Sequence, residues 1–221
     1  MENWLLRGWN WCCRFRHRCG YGVHSPSDFF LITFVVYERM AFYAYRTLHD
    51  KRKTVLSLPH YREKVDKFLF RFTNYWQPSS ILEIGTGSGL STLYMAEAKC
   101  APLYTYDSCL HQEVSRLLSS CSRIVYCTEN EIRKWDSVSL PELVHIAHTS
   151  HYQEIFEQVC DKADARTCVV VGSPYATKEK RQWWKSVVAD TRTGVTFDLY
   201  DVGLVFFDRQ RVKEHRIVNF F

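Results

Sequence analysis

The stretch Ile81-Leu82-Glu83-Ile84-Gly85-Thr86-Gly87-Ser88-Gly89-Leu90-Ser91-Thr92 decides the fold. A short apolar run carries an acid, three glycines alternate with hydroxyl residues, and an amphipathic segment follows. The pattern predicts a strand, a tight turn and a helix N-terminus. Glycine adopts backbone angles that other residues resist and lets a ligand approach the main chain closely. The free N–H groups of the following helix face the same spot. Such a loop is suited to a nucleotide-like ligand.

The 221 residues suffice for one large domain, or for one domain with an appendage. A hydrophobic fraction of 46% and a charged fraction of 24% are those of a folded soluble protein. The net charge of +5 is concentrated: Arg7, Arg14, Arg16 and Arg18 lie in the first twenty residues, where Glu2 is the only acid. This region reads as an arm for an anionic partner or, more commonly for short basic runs, as a solvated helix start. Nine cysteines without a repeated Cys-x-x-Cys spacing suggest reduced thiols in a cytoplasmic protein rather than a zinc site. The aromatic, cationic first residues lack the pattern of a signal peptide. Phe29 to Tyr45 is hydrophobic but carries Glu38 and Arg39, which makes it a poor membrane span.

In chain order, Gly22-Val23-His24-Ser25-Pro26-Ser27-Asp28 predicts a helix start, with Ser25 as N-cap and Pro26 in the first turn. Phe30, Phe34, Tyr37, Ala41 and Tyr45 recur at helical spacing as its expected apolar stripe. A second helix is expected from about Pro59 to Trp76, with Tyr61, Val65, Phe68, Leu69, Phe72 and Trp76 on one face and Gln77-Pro78 ending it. From residue 80, strands and helices alternate, which predicts a mostly parallel sheet covered on both faces. Residues 195–201 and 203–208 are β-rich and almost directly joined, which requires an antiparallel hairpin. Residues 215–220 are a candidate further strand.

The loop spacing Glu-x-Gly-x-Gly-x-Gly is one residue shorter in its last interval than the dinucleotide fingerprint. No lysine follows, so it is not a P-loop. Asp107 stands eighteen residues after Gly89 at the tip of the second predicted strand, where a carboxylate can accept both ribose hydroxyls. Together these features describe a nucleoside site without a pyrophosphate requirement.

The glycine stretch resembles the first motif of class I S-adenosylmethionine-dependent methyltransferases, and Asp107 resembles their ribose-binding acid. The resemblance covers residues 80–221. More narrowly, Gly-Val-His-Ser-Pro at 22–26 and Phe-Asp-Leu-Tyr-Asp-Val-Gly-Leu-Val-Phe-Phe at 197–207 resemble an uncharacterised small bacterial group of that family. The resemblance implies a Rossmann-like α/β fold, with a seven-stranded, mostly parallel sheet closed by an antiparallel C-terminal hairpin and preceded by an N-terminal helical layer. It divides the chain into a basic arm and helical layer on the acceptor side, 1–78, and an S-adenosylmethionine-binding domain, 79–221. It also implies a cofactor site at Gly85, Thr86, Gly87, Ser88, Gly89, Asp107 and Ser108. Glu83 is then expected near the methionine amino group, and Glu129 and Asn130 near the adenine.

Catalysis is less clearly written. Metal-dependent O-methyltransferases of this family carry an acid after the fourth strand and an acid pair or acid-amide after the fifth. Here Ala147 and Gly172-Ser173 stand at those places, so no metal ion is expected. His145, His148 and His151 recur every three residues but span a strand end and a loop, which argues against a shared metal. His148, His151 and Tyr175 remain as candidate catalytic residues, a neutral imidazole being a suitable base near pH 7. His24 is either an acceptor contact or part of a local turn. Two functions fit: an S-adenosylmethionine-dependent methyltransferase acting on an unidentified small-molecule acceptor, or a degenerate relative that binds the cofactor as a sensor or partner module. A nucleic-acid acceptor is disfavoured, because no Asn/Asp-Pro-Pro-Tyr/Phe motif follows the fourth strand. A homodimer is compatible with either function.

Overall fold

The computed structural model describes residues 4–128 and 140–221. The chain opens with α1 (Trp4–Cys13) and a 3-10 turn (Phe15–His17), followed by α2 (Pro26–Leu31), α3 (Ala44–Arg52) and α4 (Glu63–Trp76). Then β1 (Ile81–Ile84), α5 (Leu90–Ala98), β2 (Leu103–Tyr106), α6 (Gln112–Leu118), β3 (Ile124–Tyr126) and β4 (Leu143–Ile146) follow. The chain finishes with α7 (Tyr152–Lys162), β5 (Cys168–Gly172), α8 (Lys178–Ala189), β6 (Thr196–Asp198), β7 (Val202–Phe206) and β8 (His215–Ile217).

The eight strands form one sheet in the order β3-β2-β1-β4-β5-β7-β6-β8. Among the described strands only β7 is reversed: it pairs antiparallel with both β5 and β6, and β8 pairs parallel with β6. The short connection from β6 to β7 forces the reversal, because a parallel pair needs a crossover. The segment at residues 215–217 adds an eighth strand to the seven expected.

Side chains alternate across the sheet. Ile81, Leu103, Leu143, Cys168 and Val170 face α4 and α5, in a core with Phe68, Phe72 and Met95. Leu82, Val144, Ile146, Val169 and Val171 face α7 and α8 through Phe156, Val159, Trp183 and Trp184. The same alternation puts Glu83 and His145, which are register partners, on the α4 side, with Gly172 on that side of β5.

The N-terminal layer departs from the expected stripe. Ser25 caps α2 as predicted, its Oγ accepting from the Asp28 N–H at 3.5 Å. The helix then widens into a π turn over Ile32–Val36, where the Tyr37 N–H reaches the Ile32 carbonyl. The extra residue rotates the packing face. Leu31, Ile32, Val35 and Val36 are buried, while Phe30 and Phe34 are 48% and 54% exposed and Ala41 is also exposed. Helix α4 starts at Glu63 rather than near Pro59, because the preceding residues run across the sheet end as an extended strap.

The arm is neither free nor simply solvated. Arg7 makes a bidentate pair with Asp201 at 2.8 and 2.9 Å. Arg14 is buried and pairs with Asp198 at 2.8 Å. Asp198 also accepts from the Tyr175 hydroxyl and from the Tyr200 N–H at 2.9 Å. Both acids belong to the 197–207 stretch, so its polar residues serve to dock the arm. Asp198→Ala strands a buried guanidinium, and the expected cost is about 3 kcal/mol. Denaturant unfolding reads the loss, and limited proteolysis reads release of the arm. No described helix is long and apolar enough to cross a membrane.

Candidate functional site

The glycine loop lies at the carboxyl end of β1, where ligands of open α/β sheets bind. Gly85, Gly87 and Gly89 all have positive φ. The Gly85 and Thr86 N–H groups donate to the Tyr106 carbonyl at 2.7 and 3.2 Å, tying the loop to the end of β2. The Gly87 N–H donates to Asp107 Oδ2 at 2.9 Å. Asp107 Oδ1 accepts from Cys109 N–H at 3.3 Å and lies 3.4 Å from Ser108 Oγ. The carboxylate at the tip of β2 is thus fixed against the loop, with lone pairs left for hydroxyl donors.

Glu83 is fully buried beneath this loop. It accepts from Ser91 Oγ at 2.6 Å, from Thr105 Oγ1 at 2.9 Å and from Thr92 Oγ1, and it lies 3.0 Å from His145 Nδ1. Burial pushes its carboxyl up, but the hydrogen bond and charge of His145 and the hydroxyls of Ser91 and Thr92 hold it below the usual range. A carboxylate only accepts, so His145 Nδ1 is the donor, and His145 Nε2 lies 3.3 Å from the Tyr61 hydroxyl. Burial and the nearby Glu83 and Asp66 raise Tyr61 well above an ordinary phenol, so it keeps its proton. Glu83, His145 and Tyr61 form one buried chain from the loop to the strap.

The strap and the β4 loop crowd the glycines. The Pro59 carbonyl accepts from the Ser88 N–H at 2.9 Å. A Cβ on Gly85 would meet the His148 backbone at 2.5 Å, and one on Gly87 would meet the Pro59 carbonyl at 2.6 Å and the His148 ring at 2.7 Å. The His148 ring packs on Tyr61 with centroids 4.4 Å apart. Gly172 has no room for a side chain, since a Cβ there would collide with the Tyr61 hydroxyl. Ala147 is buried beside it in the same core. At the three positions where metal-dependent relatives carry acids, Ala147, Gly172 and Ser173 offer a methyl, a hydrogen and a hydroxyl, with Tyr61 filling the space at Gly172. These donors do not fit a divalent cation.

The three histidines diverge: His145 pairs with Glu83, His148 lies over Gly87, and His151 is solvent-facing beside Glu154 at 3.6 Å. Tyr175 faces the arm, donating to Asp198 and accepting from Arg14 at 3.0 Å. Its position follows from the docked arm and not from the glycine loop. His24 is exposed. Glu129 and Asn130 lie outside the described residues. Sequence reasoning missed the roles of Pro59 and Tyr61, and also Lys180, which is buried and donates to the Gly172 carbonyl at 2.7 Å. Burial pushes this ammonium down to about 8.

Burial likewise pushes the His148 imidazole down to about 4, with His145 adding to the effect and Glu83 opposing it. The ring is therefore neutral at pH 7. Because the folded value lies below the ordinary 6.5, His148 costs no stability above that pH and progressively more as pH falls towards 4. The expected loss over this window is about 2 to 3 kcal/mol. Melting curves from pH 7 to 4 should show it, and His148→Gln should flatten that part of the profile.

No protein-family model matches the chain, and no curated protein matches it in sequence. Solved structures do match. A Podospora anserina methyltransferase bound to SAH superposes with TM-score 0.60 at 12% identity, over 83% of this chain and 96% of that one. A putative O-methyltransferase from Klebsiella pneumoniae gives 0.57 at 17% identity, over 83% and 97%. An O-methyltransferase from Bacillus cereus in complex with SAH gives 0.58 at 14% identity, over 73% and 90%. The fold is the class I methyltransferase fold. At these identities the likeness is one of architecture. Within the methyltransferase fold, this chain's glycine loop and Asp107 meet at the carboxyl ends of β1 and β2.

Proposed function

We propose that this chain is an S-adenosylmethionine-dependent methyltransferase acting on a small-molecule acceptor without a metal ion. The observation that carries the reading is the Asp107 carboxylate held 2.9 Å from the Gly87 N–H, beside a loop of three positive-φ glycines. A carboxylate there suits ribose hydroxyls, and the glycines suit close approach by the rest of the ligand. The crystallised relatives bound to SAH support the same ligand class. So does the likeness of residues 22–26 and 197–207 to a small bacterial group of methyltransferases.

When bound, S-adenosylmethionine supplies an electrophilic methyl group. The chain's own residues provide position and a place for a proton. Glu83 holds the loop from below through Ser91 and Thr92. Methyl transfer breaks the methyl–sulfur bond and forms the methyl–acceptor bond, and a protic acceptor releases one proton. Among His148, His151 and Tyr175, we assign His148 to accept it. The assignment rests on position: its ring adjoins Gly87, whereas Tyr175 is engaged with Asp198 and His151 faces solvent, and the burial that holds it down to about 4 makes it a weak base until a ligand changes its surroundings.

A second reading, a protein that binds the cofactor without transferring its methyl, is favoured by one observation. Pro59 and His148 crowd Gly87, and Tyr61 crowds Gly172, which leaves little room beside the loop for a second reactant.

Calorimetric titration with S-adenosylmethionine is expected to show saturable binding, abolished by Gly87→Arg, whose side chain must enter the volume held by Pro59 and His148. Absence of binding to the unsubstituted chain refutes both readings. Labelled methyl transfer to a cell-extract fraction, surviving EDTA, supports the enzyme. Transfer abolished by EDTA refutes the metal-free mechanism, and binding without transfer to any fraction supports the second reading.

A further inference from the structure

A cleft of about 610 Å³ opens on the outer side of α4, between the arm and the turn that follows the π segment. None of the glycine-loop residues lines it. Five cations do: Arg18, Arg39, Lys64, Lys67 and Arg71. The two acids that also line it, Glu38 and Glu63, leave a surplus of three positive charges.

Both acids are engaged locally. Glu38 accepts from the backbone N–H groups of Arg39 and Met40 at 2.6 and 2.7 Å. Glu63 pairs with Lys67 at 2.8 Å and lies 3.1 Å from His49. The other four cations make no side-chain ion pair among the described residues. Arg71 donates to the Val35 and Val36 carbonyls at 2.7 and 3.0 Å. Lys64 donates to the Phe221 carbonyl and sits 4.2 Å from the Phe220 ring centroid. Arg18 lies over the Trp11 and Phe15 rings. The Arg39 guanidinium has no hydrogen-bond or ion-pair partner among the described residues. Burial pushes the Lys64 ammonium down to about 8, with Arg62, Arg71 and Arg7 adding to it and Asp201 opposing. Like charges gathered in excess of their counter-charges repel one another, and an anion between them lowers that cost.

The remaining lining includes the aromatic rings of Trp11, Tyr37 and Tyr45, whose faces suit an aromatic body. The volume falls in the range of small-molecule clefts, about 300 to 1,000 Å³. We propose that this cleft is a binding site for an organic oxyanion, a phosphate or carboxylate joined to a flat apolar body. A soluble metabolite and a lipid headgroup share this chemistry. The proposal stands independently of the methyltransferase reading, since the two sites share no residue.

The test uses the full chain with phenyl phosphate and inorganic phosphate as probes, followed by calorimetry. Co-sedimentation with phosphatidylcholine vesicles, with and without phosphatidic acid, forms the second arm. The variant is Arg39→Gln with Lys64→Gln, checked for native circular dichroism and melting temperature; either single variant replaces it if the pair misfolds. Phenyl phosphate should bind saturably and more tightly than inorganic phosphate. The double variant should weaken it by about tenfold or more, and Gly87→Arg should leave it unchanged. Vesicle binding that needs phosphatidic acid and is lost in the variant assigns a lipid headgroup as the source. The proposal is overturned if neither phenyl phosphate nor acidic vesicles bind, if binding is the same in the variant, or if S-adenosylmethionine displaces the probe.

Discussion

Replacing Glu83 with alanine is expected to cost about 3 to 5 kcal/mol, the range for deleting one partner of a buried charged network. The side chain has no exposure and sits at the centre of four groups. Two come from the first turn of α5, one from β2 and one from β4: Ser91, Thr92, Thr105 and His145. Alanine removes the acceptor of all four in a buried setting, where each lost partner costs about 1 to 3 kcal/mol before relaxation, although the Thr105 hydroxyl keeps Thr86 Oγ1 at 2.7 Å. Glu83→Gln keeps one acceptor oxygen but sets an amide N–H₂ against donors, so an intermediate loss of about 2 kcal/mol is expected. Urea unfolding measures both. A Glu83→Ala protein within about 1 kcal/mol of the unsubstituted chain would show that the network relaxes without its carboxylate.

Gly85→Ala is expected to abolish S-adenosylmethionine binding and to lower stability by about 2 to 3 kcal/mol. At φ +93° an L side chain is strained, and the new methyl would lie 2.5 to 2.8 Å from the His148 main chain. Backbone cannot swing aside as a side chain end can, so the loop or the β4 end must shift. Either shift breaks the contact between Gly85 N–H and the Tyr106 carbonyl at 2.7 Å. Gly8→Ala is the contrast: Gly8 lies inside α1 with nothing within 4 Å of an added methyl. That change should be neutral or stabilise by about 0.5 to 1 kcal/mol. Paired titrations and melts of the two variants separate the effect of the site from that of a methyl as such. Unchanged affinity in Gly85→Ala would refute the placement of the ligand at this loop.

Much of the scaffold was legible. The strap and the face of the N-terminal layer were not. The alternation of strands and helices from Ser80 onward follows from periodicity, because each element is written within a dozen residues. The Ser25 cap and the reversed β7 are equally local, the first set by a hydroxyl and a proline, the second by a connection too short for a crossover. The Phe30–Phe34 stripe misled because a single π turn changes which face is buried, and no spacing rule anticipates that insertion.

The sequence by itself determined the glycine loop and Asp107 at the tip of the next strand, since each is local chemistry. Tertiary structure alone decided what covers the loop. Tyr61 meets His145 across 84 positions, and Arg14 meets Asp198 across 184. Such pairings depend on how whole elements pack, and the pattern within any one segment does not encode them. Gly172 shows the difference: in the sequence it is a missing acid, and in the fold it is the space that admits a tyrosine.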